Sequence, residues 1–231
     1  LYSVVSPLMK PKSRVLEFGV GTGTLSRLLC DDEQVAHLTM VDISENMLEE
    51  CKLQTFCEQT QREYIVSDIE EYTFQKKNDL VISNATVQWL RDFESLIERI
   101  SKNMKSGSLL AFTSFGPESL KELYTSYDAT QEEPLKRPVH FYSQDFIESS
   151  LDSNSFKIVK SGQEIIQSFY PTVKDSLIGL KNMGVTPKAH SGSKLTKSSM
   201  IALENYYTEH YATPEGIPCT WENVWVVGQK I

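Results

Sequence analysis

The chain has 231 residues, of which 40% are hydrophobic, and a formal net charge of −8. This length and composition predict one α/β domain with a complete core, and the acidic balance argues against a nucleic-acid substrate. No apolar run approaches the roughly 18 residues of a membrane span, and no metal site or C-x-x-C pair stands out among the four cysteines, which we expect to be free thiols in the cytoplasm. The chain begins at Leu1 rather than Met, so we expect that an N-terminal piece, in which a secretory leader would be hidden, has been lost.

A glycine-rich turn follows the first predicted strand, at residues 14–18. The sequence there, V-L-E-F-G-V-G-T-G-T-L, leads into a predicted helix over 24–30. Gly19, Gly21 and Gly23 would let the backbone approach a bound nucleoside, which a Cβ would prevent. The dinucleotide fingerprint needs its third glycine one position further on. The spacing E-x-G-x-G-x-G instead resembles motif I of class I S-adenosylmethionine (SAM) methyltransferases, in which Glu17 and the glycines would bind the cofactor, whereas a plain strand-to-helix turn is the alternative.

The second predicted strand, at residues 38–41, ends in an acid about 20 residues after the glycines. Ligands of open parallel sheets bind beyond the carboxyl ends of the strands, where an acid can accept hydrogen bonds from both ribose hydroxyls. Asp42 is predicted to have that role, with a helix cap or a surface acid as the alternative. A helix is predicted over 45–58, and Ile43 and Met47 are assigned to the same cofactor site.

The third predicted strand, at residues 63–67, also leads into an acid. In this architecture Asp68 would lie against the adenine amino group and Ile69 under the ring. A plain loop acid is the alternative interpretation of Asp68.

The fourth predicted strand, at residues 79–83, is followed by the segment S-N-A-T-V-Q-W-L. The carboxyl end of this strand belongs at the rim of the site, where Asn84 would reach the methionine part of the cofactor. Gln88 and Trp89 follow about one helical turn later and would overhang the transfer site. Simple core packing is the alternative for Trp89.

The remaining pattern completes a Rossmann-like α/β fold. We predict a seven-stranded, mainly parallel sheet with an antiparallel edge strand and helices on both faces, in one domain over residues 1–231. An edge hairpin is predicted from two segments with alternating hydrophobicity and is split by a helical insertion at about 171–213. The later predicted segments are helices over 92–104 and 117–129, a strand over 107–114, the hairpin strands Phe156–Lys160 and Trp221–Val227, and insertion helices over Val173–Met183 and Leu195–His210.

The segment S-N-A-x-x-Q-W-L, together with the glycine motif, resembles the malonyl-acyl-carrier-protein O-methyltransferases of biotin synthesis (the BioC family). Similar segments begin at Phe112, Phe141 and Leu180, and the similarity spans residues 14–230. Val185 departs from the alanine that is usual there. The family's N-terminal segment, which closes over the cofactor, cannot be assigned in this chain. Trans-aconitate methyltransferase has a segment similar to N-A-x-x-Q-W-L, so that motif alone does not decide between the two.

The resemblance implies methyl transfer from SAM to the free carboxylate of malonyl-acyl-carrier protein, with S-adenosylhomocysteine (SAH) as the product. The methyl ester would prime pimeloyl synthesis for biotin. A carboxylate is already ionised at pH 7 and needs no general base, so no catalytic residue is assigned. A cation must still orient the malonyl group, and the candidates are Lys181, Arg137 and His140.

A basic segment is the last feature with functional meaning. Residues 153–203 hold seven lysines and two acids, a balance of +5 on an acidic chain. Such a segment would suit docking of an acidic carrier protein bearing malonyl-phosphopantetheine, through Lys188, Lys194 and Lys197, with a solvated surface as the alternative. We expect a monomer. Three rival functions stay open: a small-molecule carboxyl methyltransferase of the trans-aconitate type, a respiratory-complex assembly factor that hydroxylates arginine, and a SAM-binding module without catalysis.

Overall fold

The computed structural model describes residues 1–75, 77–131, 135–136, 139–184, 188–189 and 196–231, with the backbone alone at 135–136 and 188–189. Helices and strands alternate through most of the chain, as the sequence pattern predicts. The α-helices are α1 Tyr2–Val5, α2 Thr24–Cys30, α3 Glu45–Lys52, α4 Phe93–Lys102, α5 Lys121–Thr130, α6 Gln144–Ser153, α7 Val173–Asn182 and α8 Lys197–Tyr211. The strands are β1 Ser13–Phe18, β2 Val35–Asp42, β3 Gln61–Val66, β4 Asn78–Ser83, β5 Met104–Phe115, β6 Leu135–Lys136, β7 Phe156–Tyr170, β8 Lys188–Ala189 and β9 Ile217–Lys230. Two 3-10 turns lie at Ser6–Leu8 and Val87–Trp89.

Seven strands form one sheet in the order β3-β2-β1-β4-β5-β9-β7. The first five strands in this order, β3, β2, β1, β4 and β5, pair in parallel with their neighbours within this group, which confirms the predicted parallel sheet. The strand order reverses between β1 and β4, and open sheets of this kind bind ligands at that switch point, beyond the carboxyl ends of the strands. β6 and β8 form a separate antiparallel pair.

The predicted antiparallel edge is formed by β9 and β7. Ile231 donates its backbone N–H to the carbonyl of Ser155 at 2.9 Å, and Gln167 Nε2 donates to Thr220 Oγ1 at 3.1 Å. From residue 155 to residue 167 along β7, the partner therefore moves back from residue 231 to residue 220 along β9, which is antiparallel pairing. Because α7 and α8 separate these strands in sequence, the prediction of an edge hairpin split by a helical insertion is confirmed.

Helix α3 is shorter than predicted and ends at Lys52 rather than at residue 58. Its buried side chains are Leu48 and Cys51, and the polar residues Gln54 and Thr55 stand where the next turn would need apolar ones. A further helical turn would therefore place polar side chains on the buried face, and packing does not stabilise it.

Helix α6 was not predicted. Ser143 forms its N-cap by accepting a hydrogen bond from the Phe146 N–H at 3.2 Å, so a capping residue was present in the sequence.

The chain divides into two compact units, each with its own apolar core. One unit comprises residues 1–114, 143–163 and 224–231, and buries side chains of the central strands such as Val15, Met40 and Ile82. The other comprises 115–142 and 164–223, where Leu203 and Tyr207 of α8 are buried. The predicted single domain over 1–231 stays a prediction. Among the described residues, no helix is long and apolar enough to span a membrane.

Candidate active site

The turn between β1 and α2 needs glycine for both conformation and packing. Gly19, Gly21 and Gly23 have φ values of 67°, 56° and 87°, in the left-handed region that residues with a Cβ rarely adopt. A Cβ on Gly19 would overlap the Thr86 side chain, and a Cβ on Gly23 would lie 2.6 Å from Cys51 Sγ. The turn is therefore packed tightly at both ends.

Gly21, in the middle of the turn, faces open space. A Cβ built on Gly21 would meet no atom within 4 Å, in contrast to the glycines on either side of it. Its N–H donates to Asp42 Oδ2 at 2.8 Å. The fold thus brings together a stretch of backbone without side chains and a carboxylate, with free space beside them that would suit a nucleoside.

Asp42, the last residue of β2, is 8% exposed, and its carboxylate accepts a hydrogen bond at each oxygen. Oδ2 accepts the Gly21 N–H, and Oδ1 accepts the Ser44 N–H at 2.8 Å. Each oxygen of an ionised carboxylate can accept a second hydrogen bond. The group therefore presents two oriented acceptors, which fits the vicinal hydroxyls of a ribose.

Glu17 lies beneath this turn and is 1% exposed. Ser26 Oγ donates to its carboxylate at 2.6 Å, which ties β1 to the first turn of α2. Burial, opposed by the Ser26 hydrogen bond and aided by the negative charge of Asp42, raises the pKa of Glu17 to about 8. Glu17 is therefore mainly uncharged at neutral pH and supports the turn from below, while its contact with a cofactor stays a prediction.

Large apolar side chains lie exposed beside these polar groups. Ile43 is 70% exposed, Met47 41% and Val66 55%. They follow or end β2 and β3, whose last residues Asp42 and Val66 are paired in the sheet. Uncovered apolar side chains grouped next to hydrogen-bonding groups are typical of a ligand site, and these would cover the faces of a base.

Asp68 has an ionic partner that the sequence analysis did not identify. Arg91 Nη2 lies 2.8 Å from Asp68 Oδ2, and Arg91 Nε lies 3.0 Å from Glu70 Oε2. Burial tends to raise the pKa of Glu70, but hydrogen bonds from the Arg91 and Asp92 N–H groups and the Arg91 guanidinium hold this pKa below its usual value. Ile69 is buried, at 7% exposure. The adenine contacts predicted for Asp68 and Ile69 stay predictions.

The segment after β4 lies next to β1 and β5, at the same end of the sheet. Asn84 is exposed, and Trp89 is 43% exposed, so core packing does not account for this tryptophan. Gln88 is 3% exposed, and its Nε2 donates to the Ala85 carbonyl at 2.6 Å. Thr113, another residue that the sequence analysis did not single out, bonds to this segment. It follows the apolar run of β5, and the same polar break at the end of a strand could have indicated it.

The candidate cations for an acceptor belong to the other compact unit. Lys181 in the last turn of α7 and Lys197 at the start of α8 are exposed, and His140 is exposed and stacks on Tyr142. Arg137 and Lys194 and the side chain of Lys188 lie outside the described residues. Within the described part of the chain, no three His, Cys, Asp or Glu side chains are grouped as metal ligands would be.

The chain is similar to known methyltransferases in sequence and in fold. Residues 16–112 match the family described as "Methyltransferase domain". The malonyl-[acyl-carrier protein] O-methyltransferase 2 of Ilyobacter polytropus is 29% identical over 92% of this chain and 81% of its own length. A Bacillus halodurans C-125 protein described as a methyltransferase shares the fold with a TM-score of 0.66 and 14% identity, over 99% of each chain. The SAH-bound magnesium protoporphyrin IX methyltransferase of Synechocystis PCC 6803 shares it with a TM-score of 0.57 and 16% identity, over 96% of this chain and 79% of that one.

The residues of the site fit SAM. The open space at Gly21 would admit the nucleoside, the Asp42 carboxylate could accept hydrogen bonds from its ribose, and the exposed Ile43 and Met47 could contact its base. The match of residues 16–112 to a methyltransferase domain and the relatives over most of the chain, on a sheet of this order, support a SAM-dependent methyltransferase.

Proposed function

We propose that this enzyme methylates the free carboxylate of malonyl-acyl-carrier protein. The observation that carries the proposal is the similarity to malonyl-[acyl-carrier protein] O-methyltransferases over almost the whole chain, at 29% identity over 92% of it for the Ilyobacter polytropus protein and 28% over 92% for that of Brevibacillus brevis. The similarity therefore extends through the helical insertion and is not limited to the cofactor-binding residues.

The chemistry of the site supports a carboxylate acceptor. SAM, when bound, would supply a methyl group that can pass to a carboxylate oxygen, with an O–CH3 bond forming as the CH3–S bond breaks and SAH as the leaving group. A carboxylate is ionised near pH 7, so the protein has to position it but does not have to remove a proton. Asn84, Gln88 and Trp89 at the end of β4 are neutral side chains that do not act as bases. Positioning alone can account for roughly 7–11 kcal/mol of the barrier.

The basic segment supports a carrier protein as the partner. Carrier proteins that hold acyl groups on phosphopantetheine are acidic, and residues 153–203 have a balance of +5. We assign docking to Lys188, Lys194 and Lys197, and Lys197 is exposed. Orientation of the malonyl carboxylate is assigned to a cation, with Lys181 first and Arg137 and His140 after it.

The product explains the role proposed for the enzyme. A methyl ester hides the charge of the malonyl group, so fatty-acid enzymes would accept it as an apolar primer for the pimeloyl chain of biotin. We place the enzyme in the cytoplasm, as a monomer. The free thiols Cys30, Cys51, Cys57 and Cys219 support a reducing compartment.

Mass spectrometry of malonyl-carrier protein after incubation with SAM tests the proposal. We expect one added methyl group on the malonyl moiety, and no product from free tricarboxylates under the same conditions. Methylation of a tricarboxylate and not of the carrier would establish the trans-aconitate type of activity instead. SAM binding without any methylated product would point to the non-methylating alternatives.

A further inference from the structure

The peptide groups on either side of Ala85, directly after β4, are held by one side chain from β5 and by another three residues further along the same segment. Thr113 Oγ1 on β5 accepts the Ala85 N–H at 2.8 Å, and Gln88 Nε2 donates to the Ala85 carbonyl oxygen at 2.6 Å. Ala85 has a φ of 51°, in the left-handed region that a residue with a Cβ seldom adopts. Such a conformation persists when the surrounding structure holds it, and it is often found at functional sites. The two bonds therefore hold the chain in one conformation beside Asn84.

The same threonine orients the side chain of Asn84. Thr113 Oγ1 lies 3.0 Å from Asn84 Oδ1. The Thr113 hydroxyl has one proton and two acceptor positions, one of which is filled by the Ala85 N–H. Because the Asn84 amide oxygen is the atom that faces the hydroxyl, Thr113 donates its proton to Asn84 Oδ1. The amide nitrogen, with two N–H donors, is left on an exposed side chain at the carboxyl end of β4.

We propose that Asn84 binds a carboxylate group through its N–H donors, and that Thr113 is the positioning residue that gives the amide this polarity. An amide free to turn over could offer either its oxygen or its nitrogen, whereas this one offers donors only. A carboxylate accepts hydrogen bonds through both oxygens, so it fits a pair of N–H groups. Two candidate ligands have such a group: the methionine part of SAM or SAH, and the acceptor of the proposed function, on which this second possibility rests.

The variant Asn84→Asp is the main test, because it is isosteric and can still accept the Thr113 hydroxyl proton. It replaces the two donors with a charged oxygen that repels a carboxylate. We expect either about 100-fold weaker SAH binding by calorimetry, or unchanged SAH binding and an acceptor KM raised about 100-fold with a smaller change in kcat. The first result assigns the methionine carboxylate and the second the acceptor carboxylate. Asn84→Ala, which removes the donors without adding charge, should change the same quantity about 10-fold.

Thr113→Val tests the positioning role, since it removes the hydroxyl at almost constant volume. If Asn84→Asp changes the SAH affinity, Thr113→Val should weaken that affinity about 10-fold; if Asn84→Asp changes the acceptor KM, Thr113→Val should raise that KM about 10-fold. Thr113→Ser keeps the hydroxyl and should give the native value. Thr39→Val is the matched control. It removes a hydroxyl from β2 that bonds to Glu63 at 3.4 Å, and should leave both quantities unchanged.

The failure of this inference is distinguishable from the failure of the proposed function. If the native protein does not methylate malonyl-carrier protein, the proposed function fails, but the SAH measurement still tests Asn84. The inference is overturned if Asn84→Asp binds SAH like the native protein and its acceptor KM is also unchanged. It is equally overturned if SAH binding is unchanged and the native protein methylates no carboxylate, since no carboxylate ligand would then remain.

Discussion

Replacing Glu17 with glutamine should stabilise the protein in a pH-dependent way. Glu17 is fully buried on β1, and burial raises its pKa from an ordinary value of 4.5 to about 8. Between these two values the folded protein keeps a proton that the unfolded chain releases. Stability therefore falls as the pH rises through this range and levels off above the folded pKa. Glutamine accepts the same hydrogen bond from Ser26 but does not titrate, so it avoids this loss.

The magnitude follows from the distance between the pH and the unfolded pKa. At pH 7 that distance is about 2.5 units, and at about 1.4 kcal/mol per unit the loss for Glu17 is about 3.5 kcal/mol. The gap in unfolding free energy between Glu17→Gln and the native protein should be about 2 kcal/mol at pH 6 and about 5 kcal/mol above pH 8.

Urea unfolding at pH 6, 7 and 8.5 measures this gap, because the midpoint and slope give the unfolding free energy directly. Glu33→Gln is the control, since Glu33 is exposed and its replacement should change the stability by less than about 0.5 kcal/mol at every pH. A gap that stays constant with pH would mean that Glu17 is ionised in the folded protein, and the reasoning from its burial would be wrong.

Three other predictions concern the cofactor and the partner. Gly21→Val should abolish SAH binding in calorimetry, because its side chain would fill the open space beside the turn and valine disfavours a φ of 56°; unchanged affinity would remove Gly21 from the site. Asp42→Ala should weaken SAH binding by about 1–3 kcal/mol through the loss of the ribose acceptors, and equal affinity in the two proteins would show that the ribose binds elsewhere. Reversing Lys188, Lys194 and Lys197 to Glu together should raise the KM for malonyl-carrier protein and leave SAH affinity as it was; the opposite pattern would contradict the docking surface.

Most of the elements, and the glycine turn after β1, were predictable because their causes are local. Apolar runs that end in an acid or an amide identified β2 and β4 together with Asp42 and Asn84. The glycine spacing identified the turn after β1, since a left-handed conformation at Gly21 depends on that residue and its neighbours. The prediction for α3 was too long because Gln54 and Thr55, which would continue the face that buries Leu48 and Cys51, are polar.

The partners of the polar groups were decided by the tertiary structure. Thr113 bonds to Asn84, and Arg91 pairs with Asp68, across separations of 29 and 23 residues. Glu17 has a raised pKa because the fold removes it from water. The sequence by itself therefore determined where strands end and which side chains stand there. Which of these side chains meet, and in what state of charge, depends on strand order, register and burial, and these arise from the packing of the whole chain.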